Sequence, residues 1–290
     1  MAKFILSAFA DEAGGKIAEQ IDALKANGMT HIEPRGLDKG NISDYTAQNC
    51  KELRAVLDDA GIGISAIGSP FGKIKVGDDF EAHFEKFKRC VENACILGAK
   101  NIRMFSFYKE ENESWELLRG EIFDRLGRMA EYSLSYGVWC CHENEKDIYG
   151  DEETRCYDIL FHFDGKIKGV FDPANFIQCG VDIIPAYRLL EPYIEYMHVK
   201  DCRYSDGFVV PAGKGDGRIA ELLTLFDKKE GERFLTLEPH LKVFAGLDAL
   251  ENAGGTADRL RDDYSYPTNR AAFDAAAGAL HDVLKEIGKE

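Results

Sequence analysis

Tyr196-Met197-His198-Val199-Lys200-Asp201 decides how this chain is read. It continues an apolar run that starts at Tyr193 and ends on a histidine, a lysine and an aspartate. Strand interiors seldom finish on three ionisable side chains unless that end faces solvent or a site. Two other runs finish the same way, Val170-Phe171-Asp172-Pro173 and Leu235-Thr236-Leu237-Glu238-Pro239-His240. A fourth, Val138-Trp139-Cys140-Cys141-His142-Glu143-Asn144, completes the set Glu143, Asp172, His198 and Glu238. The set is a candidate metal site if the fold brings its members together.

The chain alternates strands and helices around this stretch. Phe4–Phe9 reads as a strand ending at Asp11-Glu12, followed by Ile17, Ile21 and Leu24 at helical spacing and a stop at Asn27-Gly28. His31–Arg35 is the second strand, before a helix from Ser43, the expected N-cap, to Asp59. Further strands are expected at 62–67, 101–107, 138–142, 167–171, 194–199 and 233–237. Helices are expected at 80–97, 113–136, 151–163, 184–190, 219–227 and 269–287. Eight strand–helix units at a cadence of roughly 30 residues describe a single (β/α)8 TIM barrel, an α/β fold. A doubly wound sheet would want a glycine-rich first turn, and Ala13-Gly14-Gly15 lacks the GxGxxG spacing. Residues 1–290 read as one barrel domain, with 241–268 a partly irregular excursion and 269–290 a closing helix.

Composition narrows the function. With 36 basic against 51 acidic residues the formal charge is −15, which repels phosphate backbones and anionic membranes. Nucleic acid and membrane are therefore not expected partners. No export signal or membrane-length apolar run is evident. The eight cysteines form no CxxC pair and suit reduced, packed thiols. A cytoplasmic location is expected.

In a parallel barrel all C-terminal strand ends meet at one mouth. Glu143, Asp172, His198 and Glu238 end strands five to eight, so they converge there. Three carboxylates and an imidazole suit a hard or borderline divalent ion, and the absence of a thiolate argues against structural zinc. Each residue has a plainer reading: a strand-end carboxylate is commonly a helix N-cap or a surface charge, and a lone histidine a hydrogen-bonded barrel residue. The metal reading prevails because the plain one needs four coincidences of position. Lys200 shares the strand face of His198, and His240 that of Glu238. Arg103, Glu33 and Arg35 lie across the mouth. Asp201 is expected to orient Lys200 or a loop. Gly213-Lys214-Gly215-Asp216-Gly217 is read as a turn in preference to a phosphate cradle. Trp139, Phe105 and Phe107 are candidates for an apolar wall.

The motifs His142-Glu143-Asn144, Phe171-Asp172-Pro173-Ala174-Asn175, His198-Val199-Lys200-Asp201 and Leu237-Glu238-Pro239-His240 resemble those of the xylose isomerase-like TIM-barrel superfamily, the sugar phosphate isomerase/epimerase group. The resemblance runs from Ala8-Phe9 to Glu238. It implies one divalent metal on Glu143, Asp172, His198 and Glu238, manganese first, with magnesium, cobalt and zinc also compatible. It also implies that Glu143 and Glu238 are the acid/base pair. Many relatives carry DxxH on strand six, where this chain has Asn175, an amide that can bind a hydroxyl but cannot act as an imidazole base.

The expected activity is that of a metal-dependent sugar isomerase or epimerase, moving a proton next to the carbonyl of a keto sugar or related polyol. Lys200, Asn175, Arg103, His240 and Glu33 are expected to bind substrate. The alternatives are a lyase of the same fold, such as an inosose dehydratase or an enzyme cleaving keto-C-glycosides, and a non-catalytic sugar-binding barrel. A DNA-repair nuclease of the endonuclease IV type would want more histidines than seven and a less acidic chain. Barrels of this kind often pair, so a dimer or tetramer is compatible.

Overall fold

The computed structural model describes residues 1–244 and 264–290. Eight barrel strands run in chain order: β1 (Ala2–Ala8), β2 (His31–Ile32), β3 in two pieces (Gly63–Ile64 and Ile67–Gly68), β4 (Asn101–Met104), β5 (Trp139–Glu143), β6 (Ile167–Phe171), β7 (Ile194–Val199) and β8 (Gly231–Leu237). Seven of them form one parallel sheet in the order β1, β8, β7, β6, β5, β4 and the second piece of β3. The first piece of β3 pairs in parallel with β2. The Glu33 N–H donates to the carbonyl of Ala8 at 3.0 Å, joining β2 to β1 and closing the circuit of a TIM barrel.

Side-chain alternation builds two different interiors from these strands. Ile102, Met104, Cys140, Phe171, Met197, Val199, Leu235 and Leu237 point outward into the main apolar core. The inward residues pack a small plug of Ala66, Cys141, Val170 and Tyr196, closed by Phe234. Above that plug, toward the C-terminal strand ends, the inward positions turn polar: Arg103, Glu143, His198 and Glu238 are all buried.

Several boundaries differ from the sequence reading. The N-cap of the second long helix (Ala47–Ala60) is Thr46, whose hydroxyl accepts from the Asn49 N–H at 3.1 Å. Ser43 lies instead in a 3-10 turn, its N–H taken by the Asn41 side chain. The third strand breaks at Ser65-Ala66 because its first half pairs with β2 and its second with β4. The fourth stops at Met104, short of Phe107, whose backbone turns to φ 68°. A short helix, Pro173–Gln178, comes directly after β6, ahead of Ile183–Leu190. Most of the expected excursion at 241–268 lies outside the described residues, and the closing helix spans Asn269–Glu286. Among the described residues no helix is long and apolar enough to cross a membrane.

Candidate metal centre

Glu143 is the last residue of β5, His198 belongs to β7, and Asp172 and Glu238 follow β6 and β8 directly. One potential ligand atom from each of these four lies within 4.8 Å of the others, and all four side chains are buried. Asp172 is a helix N-cap and also belongs to the four-residue group. Its Oδ1 caps the Pro173–Gln178 helix by accepting the Asn175 N–H at 3.0 Å. Its Oδ2 lies 2.9 Å from the Lys200 ammonium. Asn144 fixes the backbone there, donating to the Asp172 carbonyl and accepting its N–H, at 2.8 and 2.9 Å.

His198 is held from both sides. Its Nδ1 is 2.7 Å from Glu143 Oε1 and 3.6 Å from Glu238 Oε2, while Nε2 is 3.4 Å from Glu33 Oε2. The other Glu33 oxygen accepts the Tyr196 hydroxyl at 3.0 Å. Burial alone would lower the imidazole pKa, but Glu143 and Glu33 outweigh it and raise it to about 10. Burial would raise Glu143, and the neighbouring His198 and Arg103 draw it down to about 2 instead. For Asp172 burial wins over the attraction of Lys200, and the carboxyl rises to about 7. Glu238 is drawn well below the usual range, since Lys200 and His240 outweigh its burial.

The donor set fits a divalent ion. Three carboxylates and one imidazole are hard-to-borderline ligands. The Nε2 edge of His198 faces a carboxylate, the arrangement that leaves Nδ1 available to a metal. Lys200 spans Asp172 and Glu238 at 2.9 and 3.1 Å, so these two carboxylates are already placed to share one cation.

Two arginines flank this group, both against the Phe9 ring, at 4.2 Å for Arg35 and 5.2 Å for Arg103. Each uses Nη1 on one glutamate: Arg35 donates to Glu238 Oε1 at 2.9 Å, and Arg103 to Glu143 Oε2 at 2.8 Å. Arg35 also grips Asp11 with two bonds and Glu12 with one. His240 has a left-handed backbone (φ 43°), and its ring Nε2 sits 3.3 Å from Glu12 Oε1 and 3.2 Å from Glu238 Oε1. Asn175 Nδ2 donates to the Asn144 carbonyl at 2.9 Å and reaches Glu143 Oε1 at 3.4 Å. Lys200, Asn175, Arg103, His240 and Glu33 are therefore all gathered around the four-residue group.

Of the aromatic candidates, Phe105 lies at the mouth beneath Arg103 and Lys73. Trp139 opens β5, covered by Lys168, and Phe107 packs outside the barrel on Phe80 and His83. Neither forms a wall of the site. Asp201 orients a loop: its carboxylate accepts the N–H groups of Gly213, Gly215 and Gly217 at 2.9, 3.0 and 2.8 Å. The glycine-rich turn thus encloses the protein's own anion. A Cβ at Gly215 would lie 2.5 Å from the Cys202 carbonyl oxygen, so the turn requires a residue without one there. Phe9, Asp11 and Glu12 also belong to these surroundings, which the sequence reading does not include: Phe9 follows β1 directly, and the acidic pair lies in the 3-10 turn Ala10–Glu12.

The geometry defines a class: a parallel barrel with a buried carboxylate–imidazole group at its C-terminal mouth. The family model described as "Xylose isomerase-like TIM barrel" matches residues 21–261, and the chain belongs to that family. No curated protein matches it by sequence. Among solved structures, an IOLI protein with a bound zinc atom is similar at 16% identity and a TM-score of 0.76, covering 99% of this chain and 100% of that one. A D-psicose 3-epimerase with D-tagatose, from Clostridium cellulolyticum H10, is similar at 12% identity and TM-score 0.72, covering 98% and 99%. The probable 3-DHS dehydratase AsbF of Bacillus anthracis gives 17% identity and 0.70, covering 97% and 99%. At these identities the likeness establishes the fold.

Proposed function

We propose that the protein is a divalent-metal-dependent sugar isomerase or epimerase that moves a proton next to the carbonyl of a keto sugar or related polyol. The observation that carries this reading is the pairing of Glu143 and Glu238. Both enter the same ligand group, and each is held by its own arginine. Glu143, Asp172, His198 and Glu238 hold one ion, manganese first among manganese, magnesium, cobalt and zinc. When bound, that ion polarises a carbonyl and its neighbouring hydroxyl as a Lewis acid.

The chain's own residues do the rest. One glutamate takes the proton from the carbon beside the carbonyl, and the other returns it from its own side of the sugar. Arg35 and Arg103 fix the two carboxylates, which limits the reorganisation required at the moment of transfer. Lys200, Asn175, Arg103, His240 and Glu33 supply donors and acceptors for substrate oxygens. Loss of water after the same proton removal is the second reading, favoured by the likeness to the probable 3-DHS dehydratase.

Metal-loaded protein incubated with ketoses, inososes and keto-glycosides in deuterated water tests the reading. The expected result is deuterium at a single carbon of one substrate class. No exchange across the panel would sink the proton-transfer mechanism, and released water or aglycone would move the reaction to the lyases.

A further inference from the structure

Arg35 and Arg103 both lie against the Phe9 ring, yet they are satisfied very differently. Arg35 answers to three carboxylates, and its Nε and Nη2 form a two-pronged grip on Asp11 at 2.9 and 3.1 Å. Arg103 answers to one. Its Nη1 holds Glu143, while Nε and Nη2 have no hydrogen-bond partner among the described residues, although the residue is only 3% exposed. Glu33 and Glu238, the other carboxylates whose charges act on Arg103, form no ion pair with it among the described residues. The Glu33 oxygens are directed at Tyr196 and His198. Two buried donors on one guanidinium are costly to leave open. Phe9 and Phe105 lie against the guanidinium at 5.2 and 4.7 Å and hold it in place.

We infer that the open Nε/Nη2 edge of Arg103 receives a carboxylate of the substrate, making Arg103 the residue that selects an acidic keto sugar or hydroxy-keto acid over its neutral counterpart. The inference rests on the proton-transfer reading above and names its substrate class. The fork of a guanidinium matches the planar pair of oxygens in a carboxylate, the use to which Arg35 already puts the same edge. Vicinal hydroxyls match it less well, because they are not coplanar and carry no charge. Since Nη1 of the same guanidinium holds Glu143, a carboxylate on the other edge would fix the substrate relative to that glutamate.

Matched pairs test this: keto acids and the neutral ketoses that differ only by a primary alcohol in place of the carboxylate. Deuterium exchange is measured with the metal-loaded protein, and calorimetry follows the binding of an unreactive carboxylate and its carboxamide. The native protein is expected to prefer the acid of the working pair by about 30-fold or more in kcat/KM, and the carboxylate over the carboxamide in binding. Arg103→Lys keeps a positive charge for Glu143 and removes the fork, so it should collapse both ratios toward unity. Neutral ketoses exchanged as well as acids, or ratios unmoved by Arg103→Lys, would overturn the inference while leaving proton transfer intact. If nothing exchanges, the mechanism falls, and the binding ratio alone decides the carboxylate site. Should Arg103→Lys fail to fold, the preferences of the native protein still decide. Equal binding of carboxylate and carboxamide would mean that the open edge takes up water only.

Discussion

Replacing Arg35 by methionine keeps most of the stem volume and removes the guanidinium. Arg35 is nearly inaccessible, with 2% of its side chain exposed, and so are its partners Asp11, Glu12 and Glu238. Breaking a buried ion pair from one side costs about 3–5 kcal/mol, because the remaining charge is left without compensation. Three such costs should not be added. Glu238 keeps Lys200 and His240, and Glu12 keeps His240 and is already pushed toward its neutral form by burial. Among the described residues Asp11 alone is left almost unaided, keeping the Gly36 N–H at 3.2 Å. One full unit, about 3–5 kcal/mol, is therefore the expected loss, a large share of the roughly 5–15 kcal/mol that holds a domain together. Urea denaturation reads it as a fall in midpoint at near-constant slope. Arg35→Met/Asp11→Asn should recover much of the loss, since removing both partners spares the orphaned charge. The exposed pair Lys39–Glu52 is the control, and Lys39→Met should leave the midpoint where it was. An Arg35→Met midpoint as unmoved as that control, or a double variant no better than the single, would refute the reasoning.

Other outcomes follow from the same contacts. Glu143→Gln and Glu238→Gln should each lower deuterium exchange by about 100-fold or more at saturating metal; equal activity in either would remove it from the acid/base pair. Asp201→Ala should cost about 1–3 kcal/mol, chiefly by leaving the buried Gly217 N–H without its acceptor. Faster amide exchange at Gly213, Gly215 and Gly217 would report it, and unchanged protection would show that other contacts hold the turn. The raised imidazole of His198 stabilises the metal-free fold fully below its unfolded value near 6.5, and that contribution is lost as pH climbs through about 10. Denaturation midpoints in chelator should fall across this window, and metal affinity should rise over it as the proton leaves the ligand nitrogen. A flat midpoint would show that His198 is not the proton holder.

The fold was legible because it rests on local rules. Helix Phe80–Leu97 and strands Ile167–Phe171 and Ile194–Val199 fall where apolar periodicity puts them. The convergence of Glu143, Asp172, His198 and Glu238 was legible too, since parallel strands place successive C-terminal ends side by side. What surrounds them was less so. The bond from Arg35 to Glu238 joins residues 203 positions apart, and no pattern in either segment announces it. Trp139 shares the strand parity of Glu143 but precedes it by four residues, about 13 Å along a strand, which puts it near the other end of the barrel. Ser43 and Thr46 are both good capping residues. The choice between them depends on Asn41, whose side chain takes the Ser43 N–H and hydroxyl.

The apolar plug beneath the site accounts for the surrounding cations. Cys141 lies two residues before Glu143, Val170 two before Asp172 and Tyr196 two before His198, so on three strands an inward apolar or phenolic side chain underlies a candidate ligand. That floor shuts out water from below, and burial is the leading influence on Glu143, Asp172, His198, Lys200 and Glu238 alike. Carboxylates in such a place persist only when paired. His198 and Arg103 keep Glu143 ionised above that plug, and Lys200 and His240, with the bond from Arg35, keep Glu238 so. Asp172 shows where that compensation is thinnest. Lys200 lies 2.9 Å from its Oδ2, yet the carboxyl still rises to about 7. A cation placed among the four residues would act most strongly on that shortage, which is the physical reason the group is suited to hold one.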